Sequence, residues 1–133
     1  MAGRVVRAGD SWEVVGAVPL ADLGNRFLSH LASRGFSAAT VRGYAFDLVV
    51  FASFLEERRI GVADVRGSDL FDWLDWQQRR GPGGSNVVRL GARGPAASTL
   101  NRRVAAVRGL FEYAVIVGVV SVNPVPAGRR FRN

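Results

Sequence analysis

The stretch SAATVRGYAFDLVVFASFLEERR, residues 37–59, decides the fold of this 133-residue chain. Ser37 is a preferred residue type at a helix N-cap, and the helix is expected to run to about Arg59. Apolar residues recur at helical spacing along one side of it, at Val41, Tyr44, Ala45, Leu48, Phe51, Ala52 and Leu55. Three more apolar residues fall on the other side: Phe46, Val50 and Phe54. A helix that is apolar nearly all round is packed on several faces, so this one is predicted to be central.

Three further helices are predicted from the same periodicity. The first opens after Pro19 and stops at Gly35, the third begins near Ser68, and the fourth runs from about Ala97 to Val117. The expected core residues are, for the first helix, Leu20, Leu23, Phe27, Leu28 and Leu31; for the third, Leu70, Trp73 and Leu74, with Trp76 as a further candidate; and for the fourth, Leu100, Val104, Val107, Phe111 and Ala114. The sequence therefore predicts an all-α fold, a compact bundle of four main helices.

The segments outside these helices suggest the domain boundaries. Residues 1–18 alternate only weakly, which predicts a short irregular N-terminal arm or a weak hairpin. Residues 19–124 form the helical domain, and residues 125–133 are expected to begin a linker. Residues 81–95, GPGGSNVVRLGARGP, contain many helix breakers and predict a loop that carries Arg89 and Arg93.

The charge of the chain is unevenly distributed. All 18 basic residues are arginine, against 11 acids, and the formal net charge is +7. Residues 1–78 hold eight Arg and ten acids, whereas residues 79–133 hold ten Arg and only Glu112, for net charges of −2 and +9. Such asymmetry favours a polyanionic partner for the second half. A solvated basic surface that keeps the domain soluble is the alternative.

Several classes of function lack the residues that they need. The chain has no cysteine and a single histidine, His30, so neither a thiolate metal site nor a Ser-His-Asp triad is expected. Tyr44 and Tyr113 fall at core or core-edge helical positions, without the basic cluster that a nucleophilic tyrosine requires. No apolar run approaches the roughly 20 residues that span a bilayer. We expect no catalytic residue, metal or cofactor, no membrane partner, and a cytoplasmic location.

The start of the fourth helix carries the best candidate site, Ser98-Thr-Leu-Asn-Arg-Arg103. At ~100° per residue, Ser98, Arg102, Ala105 and Gly109 fall opposite the core residues of this helix. Phosphates bind at helix N-termini, where free N–H groups and the helix dipole point at them. Arg102 is expected to point into solvent and contribute little to folding, with Arg103 nearer the core edge. The alternative is an ordinary N-cap at Ser98 followed by solvated arginines.

At two places the sequence resembles a known family. Phe27-Leu-Ser-His-Leu31, Ser37-Ala-Ala-Thr-Val-Arg-Gly-Tyr44, Asp47-Leu48 and Phe51-Ala-Ser-Phe-Leu55 are followed by Thr99-Leu-Asn-Arg-Arg-Val-Ala-Ala-Val-Arg108, Phe111-Glu-Tyr-Ala114, Gly118 and Asn123-Pro124. In order and spacing these resemble the SAM-like core-binding domain of tyrosine recombinases, or phage-type integrases, over about residues 19–124. Ala96 departs from the family, which often has Ser there, so the cap is expected to shift to Ser98.

The resemblance implies a domain that clamps one side of duplex DNA opposite a catalytic domain. Carried over by position, it implies DNA contacts at Thr40, Arg42, Ser98, Thr99, Asn101, Arg102 and Arg103, besides the loop residues Arg89 and Arg93. The family's catalytic Arg, His and Tyr belong to a later domain, so this chain itself is expected not to be an enzyme. Implied partners are double-stranded DNA, that catalytic domain, and further copies of the full-length protein on DNA.

Two other classes of function stay open. A stand-alone helix-turn-helix regulator needs a short turn before its recognition helix, and the long glycine-rich loop before the fourth helix counts against it. A protein-interaction module would expose Phe46, Val50 and Phe54, whereas a central helix would bury them.

Overall fold

The computed structural model describes residues 3–16, 20–80 and 94–126. Its two strands are β1 (Arg4–Ala8) and β2 (Ser11–Val15). Its helices are α1 (Ala21–Ser33), α2 (Ala38–Arg58), α3 (Gly67–Arg80) and α4 (Ala97–Ile116), with a 3-10 turn at Val62–Asp64. The four predicted helices are confirmed, but the fold is mostly helical rather than purely all-α. Pro19, Arg89, Arg93 and residues 127–133 lie outside the described residues.

The N-terminal segment is a regular antiparallel hairpin, so of the two structures expected for it, an irregular arm or a weak hairpin, the chain forms the hairpin. Gly9, with a φ of 59°, forms the two-residue turn with Asp10, between the paired residues Ala8 and Ser11. The Asn25 amide of α1 accepts from Val14 N at 2.7 Å and donates to Val14 O at 2.8 Å. Val14 is only 1% exposed. An isolated hairpin is marginal in water, and these long-range contacts, which local alternation does not reveal, stabilise this one.

Helix α2 is the central helix that the sequence predicts. Ser37 caps it by accepting from Thr40 N at 3.2 Å, and Arg59 ends it in the left-handed conformation. Phe54 is fully buried and Val50 is half-buried, whereas Phe46 is 45% exposed. Phe54 and Val50 thus fit the prediction of a central helix, and of the three only Phe46 has the exposure that an interaction module requires. By length and mean hydropathy α2 also meets the criteria for a membrane span, which core helices of compact domains meet as well.

Aromatic side chains join α2 to the two helices that follow it. The ring of Phe51 meets those of Trp73 in α3 and Phe111 in α4 edge-on, with centroids 4.9 and 6.1 Å apart. Trp76 packs on Phe54 and its Nε1 donates to Glu57. Edge-to-face pairs add to the stabilisation that burial provides, so the core is centred on α2.

Two features at the far end of α4 depart from expectation. Gly109 was predicted to lie opposite the core residues of α4, but Phe27 of α1 packs against it, with its Cζ 3.2 Å from where a Cβ would lie. Val125, placed by the sequence in a linker, is 7% exposed and packs in the core. The Asn123 amide secures this end by donating to Arg108 O and accepting from Val125 N. The helical domain therefore extends at least to Val125.

Candidate nucleic-acid interface

Among the residues that the structure describes, no side chain caps the N-terminus of α4. Ala96 is the N-cap residue, and Ser98 lies exposed within the first turn, so the expected shift of the cap to Ser98 is wrong. Thr99 and Asn101 are half-buried beside it. The first N–H groups of a helix have no partner within the helix, and here no side chain of the described residues caps them. Within the described part of the chain, this positive helix end therefore keeps N–H groups that an anion can bind.

Arg102 is tied to a buried acid instead of standing free in solvent. Its Nη2 donates to Asp47 Oδ1 at 2.9 Å, and its Nε lies 3.2 Å from Oδ2. Asp47, on α2, is 2% exposed, while the Arg102 side chain remains 61% exposed. One edge of the guanidinium is therefore fixed by the carboxylate and the other edge faces outward. The expectation that Arg102 contributes little to folding is corrected by this contact.

Arg103 lies deeper, as its position near the core edge predicts. Its Nη1 donates to Gln77 Oε1 of α3 at 2.8 Å, and its Nε lies 4.0 Å from Asp47 Oδ1. The side chain is 20% exposed. Arg103 Nε and Gln77 Nε2 are buried without a hydrogen-bond partner among the described residues. Asp47, Gln77, Arg102 and Arg103 thus form one polar cluster, the Asp47 cluster, where α2, α3 and α4 meet.

Opposing effects act on the ionisation of this cluster. Burial raises the pKa of Asp47, and the hydrogen bond and positive charge of Arg102 oppose that rise. Burial lowers the pKa of Arg103, and the charge of Asp47 opposes that fall. An arginine stays protonated in proteins, so the cluster holds two cations against at most one anion. The start of α4 is therefore electropositive.

The start of α2 places the other two candidate residues. The Thr40 hydroxyl accepts a hydrogen bond from Ser37 Oγ at 2.9 Å, so it takes part in the helix cap. The Arg42 guanidinium lies over the rings of Trp12 and Phe46, 5.1 and 4.8 Å from their centroids. Sequence reasoning missed Trp12 altogether. The four-residue spacing of Arg42 and Phe46 on one helix was the available signal for their contact.

These residues share one surface. At ~100° per residue, the side of α2 between Arg42 and Thr40 includes Phe46 and Gly43, and all four are exposed. No atom lies within 4 Å of a Cβ built on Gly43. Asp47 occupies the edge of this side, where it binds Arg102. The start of α4 therefore adjoins the exposed side of α2, whereas Arg89 and Arg93 remain predictions.

An open groove also lies between the hairpin and α1. Its lining includes Glu13, Asp22, Arg26 and His30. Acids and bases are mixed there, and no group of three or more His, Cys, Asp or Glu side chains able to hold a metal ion occurs in the described residues. This groove does not have the single-sign charge of a polyanion site.

Comparisons with known proteins agree with the fold and with the quoted motifs. Residues 25–116 match the family model of the phage integrase N-terminal SAM-like domain. Tyrosine recombinase XerC of Roseiflexus castenholzii is 37% identical over 101 residues, which cover 74% of this chain and 28% of that protein. The corresponding XerC of Bifidobacterium longum is 32% identical over 99 residues, covering 74% and 24%. The chain thus spans about a quarter of the length of these relatives.

A solved structure shows the same fold. The N-terminal domain of a phage integrase/site-specific recombinase from Haloarcula marismortui superposes with a TM-score of 0.60 at 22% identity, over 77% of this chain and 86% of that one. At that identity the likeness supports the fold alone. With the family model, it shows that the chain belongs to the SAM-like N-terminal domain family of phage integrases and tyrosine recombinases.

Proposed function

We propose that this chain is the DNA-binding arm of a site-specific tyrosine recombinase and clamps duplex DNA at a recombination site. The observation that carries the proposal is the start of α4, which no described side chain caps, together with Arg102 and Arg103 beside it. Asp47 holds Arg102 in place, and Gln77 holds Arg103. A fixed guanidinium loses less conformational entropy when it binds phosphate than a freely rotating one. The proposal includes a catalytic domain that completes the clamp, association of several copies on DNA, and a cytoplasmic location.

Affinity for random-sequence duplex DNA is expected to fall steeply as salt rises. Neutralising about five phosphates gives a slope of log affinity against log salt of roughly −4 to −5. The basic second half of the chain and the start of α4 are the reason. The measurement is a fluorescence-anisotropy titration of labelled duplex from dilute to physiological salt. Binding that is insensitive to salt would contradict the electrostatic account.

The chain by itself is expected not to relax supercoiled plasmid. Tyr44 packs edge-on against Phe27, and Tyr113 packs against Phe27 and His30. Neither phenol has the surrounding arginines that a phosphodiester attack would need among the residues that the structure describes. An agarose-gel relaxation assay with purified protein tests this. Relaxation that is lost on Tyr44→Phe or Tyr113→Phe would show that the chain has its own catalytic centre.

The two rival functions fit the structure less well. A recognition helix must present one face to the major groove, but α2 is packed on several sides, and α4 is separated from α3 by residues 81–96. An interaction module needs an exposed apolar patch, and Phe46 is covered in part by Arg42. Both observations favour the recombinase arm over these alternatives.

A further inference from the structure

The hairpin lies before the residues that match the family model, and its two faces differ in chemistry. Strand pairing places Arg7 opposite Trp12 and Val5 opposite Val14, so these four share one face. That face packs on the helices, because Val14 is buried and Val5 and Trp12 pack against the core. Arg4 is on the other face. Arg7 is exposed at the turn end, next to Trp12.

Arg42 joins this face of the hairpin to α2. Its guanidinium lies over Trp12 and Phe46, and a cation over an aromatic face is attracted to it. This attraction acts on the positive charge and needs no conventional hydrogen bond from the guanidinium N–H donors. Arg42 is exposed, and within the described ranges it has no hydrogen bond or ion pair. Two aromatic rings therefore hold this cation in place and leave its donors unused.

Arg7 adds a second cation beside Trp12. Its Nε donates to Gly9 O at 3.3 Å, which orients the side chain along the turn. Of the two hairpin acids, Asp10 lies in the turn and Glu13 falls on the opposite face, where it lines the groove with α1. Arg7 and Arg42 thus flank a half-exposed tryptophan with one acid nearby.

We propose that Arg7, Trp12 and Arg42 form a hairpin surface that binds the sugar–phosphate backbone of the same DNA duplex, beside the contact made by the start of α4. The proposal rests on the proposed function and extends it to a part of the chain outside the matched family domain. Planar guanidinium donors match phosphate oxygens in bidentate geometry. The exposed side of α2 connects the two contacts, since Gly43 leaves open space between Arg42 and Asp47. A backbone crossing the start of α2 would meet both.

The matched pair Arg7→Ala and Arg4→Ala tests the surface. Both residues are exposed arginines of β1 on opposite faces, so each substitution removes the same charge. Arg7→Ala is expected to weaken duplex binding several-fold and to reduce the salt slope by about one. Arg4→Ala is expected to leave the slope unchanged. Arg42→Gln, which keeps a planar polar end but loses the charge, is expected to weaken duplex binding and reduce the salt slope as much as Arg7→Ala does. Thermal melts confirm that each variant is folded.

Trp12 provides a direct measurement of contact. It is half-exposed, whereas Trp73 and Trp76 are 0% and 7% exposed. Duplex DNA is expected to change the tryptophan fluorescence of the wild-type protein, and the change should disappear in Trp12→Phe. An unchanged signal on saturation with DNA would overturn the hairpin surface.

The outcomes separate this inference from the proposed function. Equal effects of Arg7→Ala and Arg4→Ala would overturn the hairpin surface, since only net charge would then matter. If Arg102→Ala still weakened binding in that case, the contact at α4 would stand. If the wild-type chain bound no duplex at low salt, both proposals would fail.

Discussion

Phe111→Ala is expected to lower the free energy of unfolding by about 3–5 kcal/mol. Phe111 is fully buried, and its ring meets that of Phe51, which in turn meets Trp73. Removing it leaves a cavity between α2 and α4 that rigid helices close only in part. Urea denaturation followed by circular dichroism measures the change, and the m-value shows whether unfolding stays two-state.

Ile116→Ala is the matched control for that substitution. Ile116 is the last residue of the same helix and is 77% exposed, so the expected change is within about 0.5 kcal/mol. DNA binding by Phe111→Ala should fall only as far as the protein unfolds. A loss of affinity in fully folded Phe111→Ala would place this part of α4 in the DNA contact and contradict the division of roles along the helix.

Arg102→Ala is expected to lower both stability and DNA affinity. The substitution leaves the Asp47 carboxylate, 2% exposed, without its bidentate partner. Leaving a buried polar group unpaired costs about 1–3 kcal/mol, and the lower end applies because water reaches the exposed Arg102 side chain. The same substitution removes an outward-facing cation from the start of α4. A melt and a DNA titration at one salt concentration measure the two effects separately.

The stability deficit of Arg102→Ala is expected to depend on pH. Burial raises the pKa of Asp47 above its ordinary 3.8, and loss of the Arg102 hydrogen bond raises it further. A folded-state pKa above the unfolded value means that the ionised carboxylate disfavours folding. The stability deficit of the variant is therefore complete above the pKa of Asp47 in the folded variant, and it shrinks as pH falls through that pKa and the carboxylate is protonated. Melts of the wild type and the variant at neutral pH and near pH 4 check this.

Asp47→Asn is the control for the origin of that deficit. Once the carboxylate is replaced by an amide, Arg102→Ala should cost less stability than in the wild-type background, and its cost should no longer depend on pH. An equal, pH-independent cost in both backgrounds would mean that the Arg102 stem, and not its ion pair, supports the fold.

Helical periodicity was sufficient to predict the four helices; α2, for example, is apolar on nearly every side and begins after the N-cap Ser37. Periodicity could not find the Asp47 cluster. It showed that Arg102 faces away from the apolar residues of α4, but not that a carboxylate 55 residues earlier in the chain lies beneath it. The available signal was an acid with apolar residues on both sides of it in the middle of α2, because such a group must find a partner when it is buried.

The hairpin illustrates the same limit at the other end of the chain. Its alternation is weak, and its stability depends on Asn25, a residue that sequence reasoning placed only within a helix. The contact of Arg42 with Trp12 likewise joins segments that a sequence pattern treats as separate. Local patterns predicted the elements, and the polar contacts between elements required the three-dimensional structure.

The two hydrogen bonds between the Asn25 side chain and the Val14 main chain also affect how readily the protein aggregates. A two-stranded sheet has two free edges, and unpaired main-chain groups on such an edge can recruit a strand from another molecule. Asn25 occupies both the N–H and the carbonyl of Val14, and α1 lies alongside β2. On a strand of five residues this leaves too few free groups for a second chain to pair with. A single amide side chain thus protects the outer edge of β2 from pairing with a strand of another molecule.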